Sequence, residues 1–240
     1  MKLVSFLRSA LSALLYPVII SGFALVIVIL GWIPGARNIQ DLVVGFWAKS
    51  SLFIFGVSIK VYGIEKLPKG GYIGLFNHTS NFDILAVQSL IPRIRFGAKI
   101  ELFKIPIFGH AMAAARALPI SRAQRTEVMK VYEEAEVRLA KGECFILSPE
   151  GTRQKEEKLG PFKSGPFLFA LSAQVPVVPV AIKGASKIQA KGSFLPNSHQ
   201  WISQIEVSFG DPIATTGLTA DSKKLLQSKV YDSLLNLGLN

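Results

Sequence analysis

Residues 72–90, with the sequence YIGLFNHTSNFDILAVQSL, join a short apolar run to the start of an apolar helix. The run from Tyr72 to Phe76 has the length and composition of a buried strand, and the apolar spacing that begins at Ile84 is helical. The pattern therefore predicts a strand, a tight turn and a helix.

Two ionisable side chains, His78 and Asp83, stand on this predicted turn with four residues between them. In a continuous helix they would point about 140° apart, because the helix has 3.6 residues per turn, whereas a turn lets them face each other. An ionised Asp83 in the first helical turn could fix the tautomer of His78 and leave its other ring nitrogen as a general base. The alternative for these residues alone is an ordinary helix cap, with Ser80 or Asn81 as the capping residue.

The 240-residue chain is long enough to bury a good core, and it is both apolar and basic. Half of the residues are hydrophobic and the mean hydropathy is +0.38, which indicates contact with lipid. Lys and Arg number 27 against 16 acidic residues, a net charge of +11 that favours a membrane surface, a phosphorylated lipid or an acidic carrier protein. No nucleic-acid-binding motif is present, so nucleic acid is not an expected partner.

Two apolar helices are predicted in residues 1–58. No charged residue lies between Arg8 and Arg37, so the first helix is long enough to enter a bilayer, although Pro17 should break or kink it. Because basic flanks tend to stay on the cytoplasmic side, we expect the pair to enter one leaflet or to cross twice. Packing of both helices on the core of the domain is the alternative.

Residues 59–240 alternate apolar strand patterns with helical patterns, which is typical of an α/β domain with a largely buried sheet. Two prolines in the strand predicted at 175–182 indicate an edge strand or a bulge. Helices are predicted at 126–141, capped by Thr126, and at 225–237. The remaining strands are predicted at 59–63, 94–98, 118–122, 142–148 and 205–209.

A second turn rich in functional groups, Pro149-Glu150-Gly151-Thr152-Arg153, follows the strand predicted at 142–148. Glycine lets the backbone approach a ligand, and threonine and arginine can donate hydrogen bonds to phosphate oxygens. Lys99 and Arg122 end two other predicted strands and add positive charge. These residues predict a site for a phosphate group.

Four ordered blocks carry a resemblance to a known family. They are Asn77–Asp83, which matches the pattern N-H-x-S-x-x-D, a block made of Lys99–Leu102, Pro106–Gly109 and Pro119–Arg122, the turn Pro149–Arg153 and the apolar proline run Val175–Val180. Together they resemble the glycerolipid acyltransferase superfamily, and within it the 1-acyl-sn-glycerol-3-phosphate (lysophosphatidate) acyltransferases. Ser148 and Gln154 depart from the residues usual on either side of the third block, and the second block is shortened.

The resemblance implies an α/β fold with a mixed, largely buried β-sheet flanked by helices, preceded by a membrane-associating helical pair in 1–58. It implies that His78 is the general base and that Asp83 orients it. The substrate-binding residues would be Lys99, Arg122, Glu150, Gly151, Thr152 and Arg153, with Glu150 contacting the glycerol part and the basic residues contacting the phosphate.

The implied reaction moves an acyl group from acyl-CoA or acyl carrier protein to the 2-hydroxyl of lysophosphatidate and makes phosphatidate for phospholipid biosynthesis. It needs no metal and no other cofactor. The implied location is the inner cell membrane, with the catalytic domain on the cytoplasmic side.

Three other functions stay open from the sequence. One is an acyltransferase for a different acceptor, such as lyso-ornithine lipid or glycerol 3-phosphate. Another is a non-catalytic membrane module that binds phospholipid head groups. The third is a metal hydrolase that uses His78, Asp83 and Glu150, although no second histidine follows His78 at the spacing of a helical metal site.

Overall fold

The computed structural model describes residues 2–121, 124–193, 196 and 201–239, and it describes the backbone alone for residues 2–9 and 125. Two N-terminal helices, α1 (Lys2–Gly31) and α2 (Arg37–Ile54), run antiparallel across a short turn. By length and composition, α1 is the one described helix that could cross a membrane, and most of its apolar segment is exposed.

The helix α1 continues through Pro17, so the predicted break at this residue does not occur. Contacts with α2 hold the helix on both sides of the proline. The Tyr16 hydroxyl donates to Ser51 Oγ at 3.2 Å, and the backbone carbonyl of Ile27 accepts from the Gln40 side chain at 3.0 Å. Tertiary contacts thus offset the loss of one backbone hydrogen bond at the proline.

The remainder of the described chain forms a mixed seven-stranded sheet with helices on both faces, as predicted. The strands lie in the order β1-β7-β6-β2-β5-β3-β4, and all neighbouring pairs are parallel except β6 and β7. The strands are β1 (Val57–Tyr62), β2 (Ile73–Phe76), β3 (Arg95–Lys99), β4 (Leu118–Ile120), β5 (Phe145–Leu147), β6 (Val177–Lys183) and β7 (Ser203–Phe209). The helices are α3 (Phe82–Leu90), α4 (Phe108–Ala114), α5 (Arg125–Ala140), α6 (Gly165–Ala173), α7 (Ala185–Ile188) and α8 (Lys223–Asn236).

Alternate residues of the central strands enter separate cores on the two faces of the sheet. In β5, Ile146 packs on the side of α2 and α3, whereas Phe145 and Leu147 pack on the side of α5, α6 and α8. Burial on both faces explains why these strands appear in the sequence as short, almost wholly apolar runs.

The strand β6 lies inside the sheet, between β7 and β2, so of the two predicted explanations for its prolines, an edge strand or a bulge, the edge strand is wrong. Val177 exchanges hydrogen bonds with Ile213 on the β7 side, and the Pro179 carbonyl accepts from Gly210 on that same side. The regular pairing with β7 begins only at Val180. The register with the neighbouring chain shifts by one residue between the pair Val180–Phe209 and the pair Val177–Ile213, so Pro179 lies beside an irregularity of the bulge type.

Two short helices, α4 and α7, were not predicted, and α5 begins at Arg125 after Gln124 rather than at a Thr126 cap. The parallel strands β2, β3, β4, β5 and β6 all end at one edge of the sheet, which we call the carboxyl edge. Loops at this edge of an α/β sheet commonly carry the functional groups.

Ion pairs fasten α2 to the α/β domain at the opposite edge. Arg95, at the start of β3, forms a two-point ion pair with Asp41 of α2 at 2.7 and 3.1 Å. Glu143 accepts from Arg37 of α2 at 2.7 Å and from Arg138 of α5 at 2.8 Å. The first turn of α2 is therefore fixed relative to the sheet.

Candidate active site

The turn after β2 is anchored by the side chain of Asn77. Its amide nitrogen donates to the Ile182 carbonyl at 2.8 Å, and its oxygen accepts from the Ile182 N–H at 2.7 Å. Because Ile182 belongs to β6, this pair of bonds ties the end of β2 to the neighbouring strand. The backbone at the next residue, His78, therefore starts from a fixed position at the carboxyl edge.

His78 and Asp83 are in direct contact, as the spacing predicted. His78 Nδ1 lies 2.9 Å from Asp83 Oδ2, and the same oxygen accepts the backbone N–H groups of Thr79 and Ser80, each at 2.8 Å. Asp83 is fully buried in the first turn of α3. The same carboxylate oxygen thus both stabilises the turn and orients the imidazole.

The capping of α3 differs in detail from the prediction. Asn81 precedes the helix but makes no capping hydrogen bond, and its amide donates to Gln189 at 3.1 Å. The Ser80 hydroxyl accepts from the Phe82 N–H at 3.2 Å. Ser80 and the Asp83 carboxylate together satisfy the turn that opens the helix.

This geometry selects one tautomer of His78. An ionised carboxylate can only accept hydrogen bonds, so the proton must be on Nδ1 and the free lone pair on Nε2. The His78 side chain remains 17% exposed and lies beside the Phe76 ring, with 5.3 Å between the ring centroids. An imidazole held in this way can act as a general base for a group that reaches Nε2.

The second turn is bound to the first through Glu150. Its Oε1 accepts the His78 N–H at 3.0 Å and its Oε2 accepts the Gly160 N–H at 2.9 Å. The Gln154 N–H also donates to the His78 carbonyl at 2.7 Å. Both backbone groups of His78 are therefore held by the segment that follows β5.

Burial raises the pKa of Glu150 above its ordinary value of 4.5, although the two backbone N–H donors oppose this shift. The folded protein therefore binds a proton more readily than the unfolded chain, and the free energy of unfolding should fall as pH rises from about 4.5 through the raised pKa. Glu150→Gln removes this titration. In thermal unfolding from pH 4 to 8, the stability of the wild type relative to the variant should decline with rising pH. A stability difference that stays constant over this pH range would contradict the raised pKa of Glu150.

The other predicted binding residues lie on the same edge. Gly151 adopts φ +69°, where a side chain would be strained, and Thr152 is half-buried next to it. Arg153 Nη1 is buried and has no hydrogen-bond partner among the residues that the structure describes. Lys99 is exposed at the end of β3, 3.5 Å from Glu101 Oε1. Arg122 lies outside the described residues.

Two residues that were not predicted help to position the site. Asn77 belongs to the first block, but nothing in the sequence indicates that its side chain forms two hydrogen bonds with the backbone of Ile182. Glu157 accepts from the Gly184 N–H at 2.7 Å and from the Ser186 hydroxyl at 2.9 Å, which closes the loop after β5 onto the end of β6. It stands in the charged run Lys155–Lys158, which looks like an ordinary solvated loop.

An apolar cavity of about 150 Å³ lies between α1, α2, α3, α4 and β3. Its lining includes Phe23, Trp47, Ile84, Phe96 and Met112. Ile84 follows Asp83 directly, and the Phe96 ring packs on Phe76, the aromatic neighbour of His78. Two residues that line the cavity are therefore neighbours of groups that contact His78.

Metal ligation was one of the functions left open by the sequence. Within residues 2–121, 124–193, 196 and 201–239, no three His, Cys, Asp or Glu side chains come together in an arrangement that could hold a metal ion.

Comparisons with known proteins identify the family of this chain. The model of the acyltransferase family matches residues 58–183. A chloroplastic 1-acyl-sn-glycerol-3-phosphate acyltransferase of Brassica napus is 33% identical over 65% of this chain and 46% of its own length. The human 1-acyl-sn-glycerol-3-phosphate acyltransferase alpha is 28% identical over 84% of this chain and 71% of its own. This chain thus spans about half the length of the plant relative.

The crystal structure of the 1-acyl-sn-glycerophosphate acyltransferase from Thermotoga maritima superimposes with a TM-score of 0.79 at 25% identity. The superposition covers 99% of this chain and 98% of that one, so the N-terminal helices are included. With the family match extending over more than half of its 240 residues, this chain belongs to the acyltransferase family that the four sequence blocks predicted.

Proposed function

We propose that this chain is a 1-acyl-sn-glycerol-3-phosphate O-acyltransferase, which transfers an acyl group from acyl-CoA or acyl carrier protein to the 2-hydroxyl of lysophosphatidate. The observation that carries the proposal is the contact between His78 Nδ1 and the buried Asp83 carboxylate at 2.9 Å. The relatives named above, which are 1-acyl-sn-glycerol-3-phosphate acyltransferases, support the choice of reaction.

In the proposed mechanism, His78 Nε2 takes the proton from the 2-hydroxyl while that oxygen attacks the carbonyl carbon of the thioester. The tetrahedral intermediate then collapses, the bond between carbon and sulfur breaks, and the imidazolium returns the proton to the thiolate. Asp83 keeps the imidazole in the required tautomer and stabilises the imidazolium. The thioester supplies the activated acyl group, so the proposed reaction uses no metal or redox cofactor.

Glu150 acts in this proposal as a positioning residue. Both of its oxygens already accept backbone N–H groups, one of them from His78 itself. It therefore fixes the backbone from which the base projects. The resemblance implied contact between Glu150 and the glycerol part of the substrate, and each carboxylate oxygen keeps a lone pair that could accept a hydroxyl group in addition to its backbone N–H.

The phosphate of the acceptor is assigned to Arg153, with Lys99 and Arg122 as further cationic groups and with Gly151 and Thr152 beside it. A buried guanidinium nitrogen without a partner among the described residues suits a charge-assisted hydrogen bond to a phosphate oxygen. The apolar cavity suits part of a fatty acyl chain, because it is lined almost entirely by hydrocarbon and aromatic side chains.

Replacing Arg153 by alanine is expected to raise KM for lysophosphatidate roughly 10- to 100-fold, since a hydrogen bond to a charged group is worth about 1.5–3 kcal/mol. KM for the acyl donor should stay close to the wild-type value, and Arg153→Lys should recover part of the loss. Steady-state kinetics with each substrate varied in turn measures both constants. A rise in KM confined to the acyl donor would indicate that Arg153 binds a phosphate group of the acyl carrier instead.

Residues 1–58 are proposed as the membrane-associating segment and residues 59–240 as the catalytic domain. The exposed apolar face of α1 and α2 supports this division. A catalytic domain on the cytoplasmic side of the inner membrane would meet both acyl carriers there, and it could take an acceptor with a fatty chain directly from the lipid.

The proposed function is tested by giving the purified protein in detergent an acyl thioester and a panel of acceptors, and by following thiol release. Lysophosphatidate should be the best acceptor. Preference for lyso-ornithine lipid or glycerol 3-phosphate would keep the chemistry and change the substrate. Absence of transfer to every acceptor, with lipid binding retained, would favour a non-catalytic phospholipid-binding module.

A further inference from the structure

The segment between β3 and α4, residues 100–108, exposes a run of apolar side chains beside the carboxyl edge. Leu102, Ile105 and Ile107 are 38%, 44% and 46% exposed, and Pro106 between them is also exposed. Single exposed apolar residues are common on protein surfaces, whereas several together indicate a surface that is covered by something else. The function described above does not account for this run.

The shape of the segment is fixed by a γ-turn at its tip. Ile107 has φ +63° and ψ −57°, and the Phe108 N–H donates to the Pro106 carbonyl at 2.6 Å. This turn is rare and strained, most of all for a β-branched residue. Gly109 then packs so closely on the Phe103 carbonyl that any Cβ there would collide with it. The surroundings therefore hold an unfavourable conformation that keeps the Ile107 side chain half-exposed.

Charged groups surround the apolar tip. Lys99 and Lys104 flank it and are exposed, and Glu101 lies 3.5 Å from Lys99. Apolar side chains that project between lysines suit the surface of an anionic bilayer, where the hydrocarbon enters the lipid and each ammonium group stays among the phosphates.

The position of the segment connects it to the candidate site. It begins where β3 ends, on the edge that carries His78, and β3 is parallel to β5. Leu102 and Phe108 also line the apolar cavity together with Ile20 and Phe23 of α1. One side of the segment therefore faces the cavity and the other side faces outward, next to the N-terminal helices.

We propose that residues 100–108 enter an anionic lipid surface and form a second membrane contact, separate from the contact made by α1 and α2. This inference rests on the proposed function, because a lipid surface at this position would present its lysophosphatidate at the carboxyl edge. An acidic carrier protein could also meet the lysines. The four apolar side chains at the tip favour lipid, because a carrier recognised by charge alone would leave them exposed.

Site-directed fluorescence tests the contact directly. Cys144 is the single cysteine and is buried, so the Cys144→Ala chain offers a background for one labelled cysteine. An environment-sensitive dye at Ile105→Cys should shift to shorter wavelength on vesicles of phosphatidylglycerol and phosphatidylcholine, and nitroxide-labelled lipid should remove most of its emission. The same dye at Val137→Cys, an exposed apolar position on α5, is the matched control and should change little.

A third labelled position, Phe53→Cys on the exposed face of α2, separates the possible outcomes. Quenching at residues 53 and 105 supports the proposal. Quenching at residue 53 alone overturns it and leaves the membrane contact to the helices. A response at residue 105 to acyl carrier protein but not to vesicles also overturns it, because the segment would then be a protein-docking surface.

Ile107→Gly tests the contribution to catalysis without a folding defect, because glycine adopts φ +63° without strain. Its midpoint of thermal unfolding should equal that of the wild type. Transfer to lysophosphatidate in vesicles should fall roughly tenfold, the effect of losing one buried apolar side chain of this size. Transfer to a short-chain, monodisperse acceptor should be unchanged. Equal loss with both acceptors would overturn the proposal, whereas loss of all transfer in the wild type would refute the proposed function instead.

Discussion

Replacing His78 by alanine is expected to lower kcat for acyl transfer by about 10²- to 10⁴-fold, the usual contribution of a general base. KM for lysophosphatidate and for the acyl donor should change little, because the imidazole makes its main contribution while the proton moves. The measurement is the steady-state rate of thiol release by the purified variant in detergent, with the midpoint of thermal unfolding recorded alongside.

The chain offers a matched control in His110, an exposed histidine on α4 that belongs to none of the four sequence blocks. His110→Ala should keep the wild-type kcat. If His78→Ala retained kcat within a few-fold of the wild type, or lost it only together with the folded state, the imidazole would not be the base.

The central strands could be predicted because the sheet is buried on both faces. β2 and β5 are short runs with hardly a polar residue, each followed at once by a turn rich in polar groups. A strand is apolar on both sides only where helices cover both faces of the sheet. The ends of each apolar run therefore predict the ends of the strand to within a few residues.

The errors in the fold fall where distant contacts outweigh a local rule. Pro17 should end a helix by its own chemistry, but α2 supports α1 on both sides of it. Pro179 indicated an edge strand or a bulge, and it lies in an interior strand, beside a one-residue shift of register with the chain after β7. Neither neighbour can be identified from the residues beside the proline.

The candidate site divides in the same way. The contact between His78 and Asp83 is local, and five positions across a turn were enough to predict it. Glu150 lies 72 residues from His78, and it binds a backbone N–H rather than a side chain. Almost any residue can supply a backbone N–H, so no residue type in the sequence identifies such a partner. The sequence therefore indicated that Glu150 belongs to the site without indicating which group it binds. The same holds for Glu157 and its partner at Gly184.

Asp83→Asn is expected to lower kcat by about 10²- to 10⁴-fold, since loss of the orienting carboxylate in a comparable histidine–aspartate pair costs up to about 10⁴. The amide oxygen of asparagine can still accept from the Thr79 and Ser80 N–H groups, so the turn should keep its shape. What the variant loses is the negative charge that stabilises the imidazolium. Thiol-release kinetics at saturating substrates measures the change, and KM should remain near its wild-type value.

Asp83→Ala separates the charge from the hydrogen bonds. It leaves two buried backbone N–H groups without an acceptor, and each costs about 1–3 kcal/mol of unfolding free energy. Since the total stability of a domain is about 5–15 kcal/mol, the alanine variant should unfold well below the asparagine variant. Similar kcat losses with widely different unfolding midpoints would assign catalysis to the charge and folding to the carboxylate oxygen. If Asp83→Asn instead kept the wild-type kcat, hydrogen bonding alone would be enough to hold His78, and the imidazolium would need no stabilising anion.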